Sequence, residues 1–379
     1  MDNIGIGLAG YGAIGKIHTL CYKELHMLYP GQLPEVDLAA VCTSKPETAQ
    51  NAAEAGGYRK WFTDVSELVK QDDVTVVDCS LPNFAHKSAL LETIAAGKHV
   101  YCEKPLAVNG IEAREIAQAA AEAGVQIGMT FNYRFVPALM RAYELIQAGA
   151  LGDIYRFRAE YFHTGYQDPE RPLSWRMDRE KSGGGALVDM GSHLIDLIRH
   201  LLGEFDSVQA SMQTYIKERP VKRGAREKGV VTVDDAAWLR IKLKNGAMGT
   251  LETSRFATGA LDDLRIEICG EKGALWFDLM DANWLYWFDA SRKGGAPGGD
   301  NGWVRLETVQ HYPGASIPSP RSILGWARTH AENQYTFLKA VAEGKTPRPN
   351  VTDGLRTQLV LDAAYASAER GDWVEVDLE

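Results

Sequence analysis

Short apolar runs alternate with longer stretches of helical periodicity over the first third of the chain. The runs are typical of buried strands and occupy residues 4–9, 37–42, 74–79, 100–102 and 126–129. Helix-forming segments between them cover residues 12–28, 46–55, 65–70, 85–96 and 110–123. This alternation predicts an α/β fold that begins with a Rossmann-type, doubly wound parallel sheet.

The pattern changes after Pro137. A helix at residues 138–148 is followed by period-2 segments at residues 154–162, 208–216, 236–244, 248–254, 264–269 and 274–278. Short glycine turns join these segments, which predicts a second α/β domain with a large, mostly antiparallel open sheet. Two closing helices, at residues 324–343 and 353–370, can pack back on the first domain.

We therefore divide the chain into a dinucleotide-binding domain, residues 1–130, and a domain for substrate binding and oligomerisation, residues 131–379. Within the second domain, residues 217–229 are basic and residues 292–302 are rich in glycine. The basic segment suits contact with an anionic group, but a solvated loop of the sheet is the favoured interpretation.

Composition limits the classes of partner. The 379 residues are 45% hydrophobic and carry a net charge of −9, which argues against a nucleic acid as partner. No apolar run approaches the roughly 20 residues that cross a bilayer, so no membrane contact is expected. The N-terminus leads directly into a strand and leaves no room for a signal peptide. The sequence therefore predicts a cytoplasmic protein.

The five cysteines are scattered and lack Cys-x-x-Cys spacing. Cys42, Cys79 and Cys102 lie within or at the end of apolar strand-like runs, which favours buried packing thiols. Neither a disulfide framework nor a metal site is predicted.

A glycine loop, Gly10-Tyr11-Gly12-Ala13-Ile14-Gly15, follows the first strand and opens the first helix. In this setting Gly10 makes the tight turn, Gly12 lets the backbone approach a pyrophosphate, and Gly15 lets helix and strand pack closely. The helix N-terminus offers amide groups to the phosphates. The loop therefore predicts dinucleotide binding.

The turn after the second strand bears on the choice of cofactor. It reads Thr43-Ser44-Lys45, without the acidic residue that hydrogen-bonds the adenosine ribose in NAD-specific proteins. Hydroxyl and cationic groups accommodate a 2′-phosphate, so the sequence predicts NAD(P) with a slight preference for NADP.

Two further motifs carry candidate chemistry. Glu103-Lys104-Pro105 ends an apolar strand, at the edge where open parallel sheets bind ligands. Asp189 and His193 are four residues apart in a predicted helix at residues 187–202, so both side chains are expected on one face. A surface pair or a buried structural histidine is the alternative for these two residues.

Several segments, in order, resemble the Gfo/Idh/MocA oxidoreductases, a family that includes inositol and pyranoside dehydrogenases. The resemblance rests on the glycine loop with His18, on Leu81-Pro82-Asn83 with His86, on Gly97–Val100 (residues 97–100), on Glu103-Lys104-Pro105, on Asn132-Tyr133-Arg134-Phe135, on residues 183–193 and on residues 362–368. It implies a redox site with Lys104, Asp189 and His193 as its catalytic residues, and assembly into a homodimer or homotetramer. Thr43 departs from the commonest pattern, because many NAD-using members carry Asp there.

Further site residues follow from these motifs. The cofactor contacts are predicted at Gly10, Gly12, Ala13, Ile14, Gly15, Thr43, Ser44, Lys45, Leu81, Pro82, Asn83, His86, Glu103, Lys104 and Asn132. The substrate contacts are predicted at Lys104, Tyr133, Arg134, His163, Trp175, Arg176, Asp189 and His193. Pro82 is expected against a cofactor ring, and an ordinary proline turn is the alternative. The Tyr161 ring suits the apolar face of a carbohydrate, and core packing is the equally favoured alternative. His18 and His86 are favoured as structural residues at helix starts.

Hydride removal from a secondary alcohol requires a base for the hydroxyl proton and a charge that stabilises the developing alkoxide. A neutral imidazole suits the base, so His193 receives that role, while Lys104 hydrogen-bonds the reacting oxygen and can share the proton. Asp189 orients His193 or binds a neighbouring hydroxyl. Which of Lys104 and His193 takes the proton first stays open.

The sequence thus predicts an NAD(P)-dependent oxidoreductase acting on a secondary hydroxyl of a sugar, glycoside or inositol. The alternatives are an NAD-dependent glycosidase with transient oxidation at C3, reduction of a different acceptor such as a C=N bond or a nucleotide-linked ketosugar, and a non-catalytic sugar or dinucleotide sensor. Joint retention of Lys104, Asp189 and His193 argues against the sensor, which needs no proton-transfer groups.

Overall fold

A computed structural model describes residues 3–295, 297, 299–308, 312–317 and 325–378. The chain forms two compact units, the first from Met1–Phe135 and Gln310–Leu355, and the second from Val136–Val309 and Arg356–Glu379. Among the described residues, no helix has both the length and the apolar character that crossing a bilayer demands.

The first unit contains a six-stranded parallel sheet in the order β3-β2-β1-β4-β5-β6. Its strands are β1 (Asn3–Ala9), β2 (Glu35–Cys42), β3 (Lys60–Phe62), β4 (Val76–Cys79), β5 (His99–Cys102) and β6 (Ile127–Met129). Its helices are α1 (Ala13–Leu28), α2 (Pro46–Gly56), α3 (Val65–Val69), α4 (His86–Ala95) and α5 (Gly110–Ala123). This strand order is that of a Rossmann fold, so the predicted first domain fold is confirmed.

The second unit contains a nine-stranded sheet in the order β16-β15-β14-β13-β7-β12-β11-β8-β17, antiparallel except between β7 and β12. Its strands are β7 (Ile154–Phe162), β8 (Phe205–Gln213), β11 (Ala236–Leu243), β12 (Met248–Ser254), β13 (Asp263–Gly270), β14 (Gly273–Asp278), β15 (Trp284–Asp289), β16 (Trp303–Glu307) and β17 (Val374–Glu375). A separate hairpin pairs β9 (Glu218–Pro220) with β10 (Lys228–Val230). The mostly antiparallel sheet was expected and is confirmed.

Five more α-helices lie in the described part of the chain. They are α6 (Pro137–Gln147), α7 (Arg179–Ser182), α8 (Ser192–Leu202), α9 (Trp326–Ala342) and α10 (Val351–Arg370). In the first unit α9 packs on the parallel sheet, where a Cβ at Gly128 of β6 would lie 2.4 Å from the Phe337 ring. Glycine at residue 128 therefore lets helix and sheet approach closely. The predicted start of this helix, Leu324, lies outside the described residues.

Several local predictions differ from the structure. β3, β15, β16 and β17 were not predicted, because β3 and β17 are short and most residues of the other two strands are half-buried or exposed. The basic segment is the β9–β10 hairpin, and its Arg219 is only 1% exposed. The Arg219 guanidinium donates to the carbonyls of Tyr166 and Asp168, so this arginine is structural.

The helix predicted at residues 187–202 is not a regular α-helix throughout. Residues Leu187–Gly191 form a π-helical turn, and α8 continues directly from it. A π-turn changes the angular spacing of its side chains and is frequent at functional sites.

Candidate active site

The glycine loop of the first unit has the geometry that a dinucleotide requires. Gly10 has φ +95°, and a Cβ there would lie 2.6 Å from the Ser80 carbonyl oxygen. A Cβ at Gly15 would lie 2.2 Å from the Gly10 carbonyl oxygen. A Cβ at Gly12 would meet no described atom within 4 Å, so this position leaves open space for a ligand.

The start of α1 adds amide donors to this space. Gly12 is the N-cap and provides no side-chain cap, and the first turn contains no acidic residue. Ala13 is exposed and Ile14 is half-buried. Orphan N–H groups at a helix N-terminus bind phosphate, so the loop fits the pyrophosphate of NAD(P).

The turn that follows β2 presents polar groups. Thr43 Oγ1 lies 2.6 Å from Thr48 Oγ1 and 3.2 Å from the Lys45 carbonyl oxygen. Ser44 and Lys45 are exposed, and Lys45 is the N-cap of α2. Hydroxyls and an ammonium group, rather than a carboxylate, therefore end this strand.

The segment after β4 contains the predicted Leu81, Pro82 and Asn83. Leu81 and Pro82 are half-buried, and Asn83 begins a 3₁₀ turn, Asn83–Ala85. His86 is fully buried, with Nδ1 2.9 Å from the Pro105 carbonyl oxygen and Nε2 3.0 Å from that of Leu81. Because its side chain has no exposed surface, His86 supports the Leu81 and Pro105 loops and reaches a cofactor only through them.

Glu103 and Lys104 come directly after β5. Lys104 is half-buried and precedes a cis peptide bond to Pro105. The Glu103 carboxylate lies 3.2 Å from His18 Nε2, so its charge faces α1. The backbone of Glu103 is held by a bond from its N–H to the Cys79 carbonyl.

The predicted residues beyond β6 are mostly buried. Asn132 donates from Nδ2 to Thr329 Oγ1 at 3.0 Å, and Tyr133 is 4% exposed. Arg134 pairs with Asp353 at 3.1 Å, and both side chains are largely buried. The ion pair gives Arg134 a structural role in the first unit, and its contact with substrate stays a prediction.

In the second unit, Asp234 organises the start of the π-turn. Its carboxylate accepts hydrogen bonds from the backbone N–H groups of Gly185 and Leu187, both at 2.8 Å. A Cβ at Gly185 would lie 1.8 Å from the Asp234 carbonyl oxygen, and one at Gly184 would lie 1.9 Å from the Tyr365 hydroxyl. The glycine run thus lets Asp234 and Tyr365 approach the segment that carries Asp189.

Asp189 forms an ion pair that the sequence did not indicate. Its Oδ2 lies 3.0 Å from Nη2 of Arg255, whose side chain is 2% exposed while that of Asp189 is 39% exposed. The guanidinium stacks 4.3 Å above the Tyr166 ring. Burial disfavours the charged form of Arg255, but the Asp189 charge outweighs it and raises the pKa of the guanidinium. Asp189 is therefore oriented by a permanent buried cation.

His193 lies beside an aromatic and acidic group. Its ring is 6.2 Å from the Tyr161 ring, in an edge-on arrangement. The Tyr161 hydroxyl donates to Asp262 Oδ1 at 2.6 Å, and His163 Nε2 lies 2.9 Å from the same oxygen. Burial favours the neutral form of Asp262, but these hydrogen bonds and the nearby histidines lower its pKa. The second unit thus brings together His193, His163, Tyr161 and the unpredicted Asp262.

Trp175 and Arg176 lie in a 3₁₀ turn, Trp175–Met177. The Arg176 guanidinium stacks 4.4 Å from the Trp175 ring. Arg176 is exposed and Trp175 half-buried. An aromatic face with an adjacent cation suits a carbohydrate, and the substrate contact of both residues stays a prediction.

Two groups of ligand-type side chains occur among the described residues, although no metal was predicted. In the first, which also contains His330, His18 faces Asp78 and Glu103, and both ring nitrogens of His330 lack a hydrogen-bond partner in the described part of the chain. In the second, Cys79 and Cys102 accompany His86, whose two ring nitrogens face carbonyl oxygens. The ion pairs of His18 and the carbonyl contacts of His86 occupy these two histidines, so neither group is offered as a metal site.

Arg255, Asp262, Asp234 and Tyr166 could not be found from the sequence. Arg255 and Asp262 flank a loop between β12 and β13 and belong to no recognisable motif. Their proximity to Asp189 and His193 arises from the sheet register.

Dinucleotide binding in the first unit and a histidine with an oriented carboxylate in the second are what an alcohol oxidoreductase requires. The comparisons with known proteins agree with this class. Residues 4–131 match the model for the oxidoreductase family with an NAD-binding Rossmann fold, and residues 139–276 match the Gfo/Idh/MocA C-terminal domain. The chain belongs to the Gfo/Idh/MocA oxidoreductases, as the resemblance implied.

Similar proteins include sugar and polyol dehydrogenases. Levoglucosan dehydrogenase of Pseudarthrobacter phenanthrenivorans is 34% identical over 99% of both chains. Myo-inositol 2-dehydrogenase of Thermotoga maritima is 27% identical over 98% of both chains. A solved levoglucosan dehydrogenase in complex with NADH and levoglucosan superposes with a TM-score of 0.94, at 33% identity and 100% coverage of both chains. The predicted class, an NAD(P)-dependent sugar or polyol dehydrogenase, is confirmed.

Proposed function

We propose that this enzyme oxidises a secondary hydroxyl of a pyranose ring, with levoglucosan and simple glucosides as the first substrates to test. The observation that carries the proposal is the presence of Lys104, Asp189 and His193 in a chain 34% identical over 99% of its length to levoglucosan dehydrogenase. Inositols form the second substrate group, because an inositol dehydrogenase is also similar over the whole chain.

We assign a role in the reaction to each of the three candidate catalytic residues. His193 accepts the hydroxyl proton, and its edge-on contact with Tyr161 holds the imidazole plane. Lys104 hydrogen-bonds the reacting oxygen and stabilises its developing negative charge. Asp189, oriented by Arg255, binds a hydroxyl beside the reacting carbon or orients His193. Bound NAD(P) supplies the hydride acceptor.

The choice of cofactor depends on the turn at Thr43. Its hydroxyls and Lys45 support acceptance of a 2′-phosphate, whereas the NADH found in the similar structure supports NAD. We expect use of both cofactors, with kcat/KM values within about ten-fold of one another and a slight advantage for NADP.

The test is absorbance at 340 nm with levoglucosan, glucosides, free hexoses and inositols, each with NAD⁺ and NADP⁺. We expect turnover with at least one ring alcohol and a fall of about 100-fold or more in kcat for Lys104→Ala and for His193→Ala. Cofactor affinity, measured by NADH fluorescence, should change little. Near-normal turnover of either variant would contradict the assigned roles.

Other outcomes separate the alternatives. If absorbance at 340 nm does not change and cofactor is released only on denaturation, the glycosidase with transient C3 oxidation would be favoured. If absorbance does not change and the protein holds no cofactor, the sensor would be favoured. We further propose that the protein is cytoplasmic and assembles into a homodimer or homotetramer. Light scattering tests the assembly, which a monomer in solution would contradict.

A further inference from the structure

Three ionisable side chains, those of Asp78, His18 and Glu103, form a largely buried row next to Lys104 in the first unit. His18 on α1 lies 2.9 Å from Asp78 on β4 through Nδ1, and 3.2 Å from Glu103 through Nε2. His18 and Asp78 have no exposed surface, and the Glu103 side chain is 12% exposed. The dehydrogenase roles above make no use of His18 or Asp78.

The groups that face the His18 ring come from three other elements. They are Asp78 and Ser80 at the end of β4, Tyr101 and Glu103 at the end of β5, and His330 on α9. Tyr22, one turn further along α1, hydrogen-bonds Asp78. The Tyr22 and Ser80 hydroxyls donate to the Asp78 carboxylate at 2.8 and 2.9 Å. Asp78 is therefore a well-satisfied buried anion and a fixed point for the His18 ring.

The charges in this row favour a permanent ion pair. Burial disfavours a charged His18, but Asp78 and the hydrogen bonds of both carboxylates outweigh it and raise the pKa of His18 to about 10. Burial likewise disfavours a charged Glu103, but the hydrogen bond and charge of His18 lower its pKa to about 2. Burial and the His18 charge lower the pKa of His330 to about 3, so His330 is neutral.

Two buried histidines hold the residues on either side of Lys104. His18 binds the Glu103 carboxylate, and His86 lies 2.9 Å from the Pro105 carbonyl oxygen. The Lys104 ammonium interacts electrostatically with Glu103, so a shift of that carboxylate changes both the backbone and the field at Lys104. We propose that His18 is a positioning residue for Lys104, acting through its ion pair with Glu103.

This inference rests on the proposed dehydrogenase function, in which Lys104 meets the reacting oxygen. Displacements of about 1 Å at a catalytic group can cost about 100-fold in rate. We expect His18→Gln and Glu103→Gln each to lower kcat by about 10- to 100-fold. In His18→Gln, the KM for the sugar and the NADH dissociation constant should change less than about three-fold, because the glycine loop is untouched.

A double-mutant cycle separates positioning from general destabilisation. If His18 acts only through Glu103, the double variant His18→Gln/Glu103→Gln should lose no more than about two-fold beyond the poorer single variant. Tyr58→Phe is the matched control, because it removes a buried hydrogen bond to Thr19 on the same helix. It should lower the melting temperature while kcat stays within about three-fold.

Wild-type kcat in a folded His18→Gln, or multiplicative losses in the cycle, would overturn the proposal. Should His18→Gln fail to fold, Glu103→Gln alone tests the same link and must show the loss of kcat.

An inactive wild type would instead refute the proposed function, and a second measurement, of Lys104 reactivity, then decides the positioning role. In that case, competitive acetylation should show at least a three-fold change in Lys104 reactivity in the variant, with exposed Lys345 unchanged; equal Lys104 reactivity would overturn it.

Discussion

Among individual side chains, the candidate catalytic groups differ in how they are held. Asp189 is half-exposed but tied to a buried arginine, whereas His193 is mostly buried against Tyr161. Lys104 is half-buried, and its two chain neighbours are held by histidines. The resemblance to the family implied the roles of these residues, but the partners that orient them had no signal in the sequence.

We predict that Arg255→Met lowers kcat about ten-fold, because Asp189 loses the cation that orients it. The acid limb of the kcat/KM profile reports protonation of the base His193, so an Asp189 charge that Arg255 no longer neutralises should move this limb to higher pH. Initial rates between pH 5 and 9 measure both effects.

The matched control for Arg255 is Arg240→Met, which removes an exposed arginine that stacks on Trp373 at 5.5 Å. Its profile should coincide with that of the wild type. An unchanged acid limb in Arg255→Met would show that Asp189 does not depend on this ion pair.

At the level of secondary structure, the helix that carries Asp189 and His193 shows how far local pattern extends. Helical periodicity predicted a helix from residue 187 to residue 202. The first turn is nevertheless π-helical, and Asp234, 49 residues away, binds its N-terminal amides. A capping partner so distant in sequence leaves no local signature.

Substitution at the glycine run should expose this dependence. Gly185→Ala places a Cβ 1.8 Å from the Asp234 carbonyl oxygen, so the backbone must move. We expect a loss at the upper end of the roughly 1–3 kcal/mol typical of overpacking, with turnover falling as Asp189 shifts. Urea unfolding and initial rates test this.

Gly302→Ala is the comparison for that variant, because a Cβ there would meet no described atom within 4 Å. It should unfold at the wild-type urea concentration. If Gly185→Ala is as stable as the wild type, the segment relaxes without loss of the Asp234 cap.

For the molecule as a whole, buried ionisable groups of the first unit set how stability depends on pH. The pKa of His18 is raised to about 10 from an ordinary value of 6.5. The folded state therefore holds its proton more tightly, and the resulting stabilisation is complete below pH 6.5 and disappears as the pH rises through 10. Glu103, whose pKa is lowered to about 2, contributes stabilisation above pH 4.5 that is lost on acidification.

We predict that His18→Gln lowers the free energy of unfolding by an amount on the order of a few kcal/mol at pH 6.5. The difference from wild type should shrink steadily toward pH 10, because the wild-type histidine loses its charge as the pH approaches its pKa of about 10. Urea denaturation at pH 6.5, 8 and 9.5 measures it. A difference that grows with pH would contradict the assigned charge state.

Local pattern decided much of this protein. Period-2 and helical spacing predicted the parallel sheet and the antiparallel sheet, because strands and helices bury their apolar faces wherever they pack. The glycine loop was recognisable because phosphate binding needs glycines at short, fixed spacings, whereas the catalytic roles of Lys104, Asp189 and His193 came from the resemblance to the family. The predicted sugar dehydrogenase class followed from that resemblance, and the family comparison confirms it.

Tertiary structure alone decided which side chains support those groups. Arg255 reaches Asp189 across 66 residues, and His18 reaches Asp78 across 60, through strand order and register rather than any local motif. The same holds for Asp262 beside Tyr161 and for Arg219, which looked like a solvated charge and is buried. Long-range ion pairs depend on the folded path of the backbone, and a buried charge is stable only where that path supplies its partner.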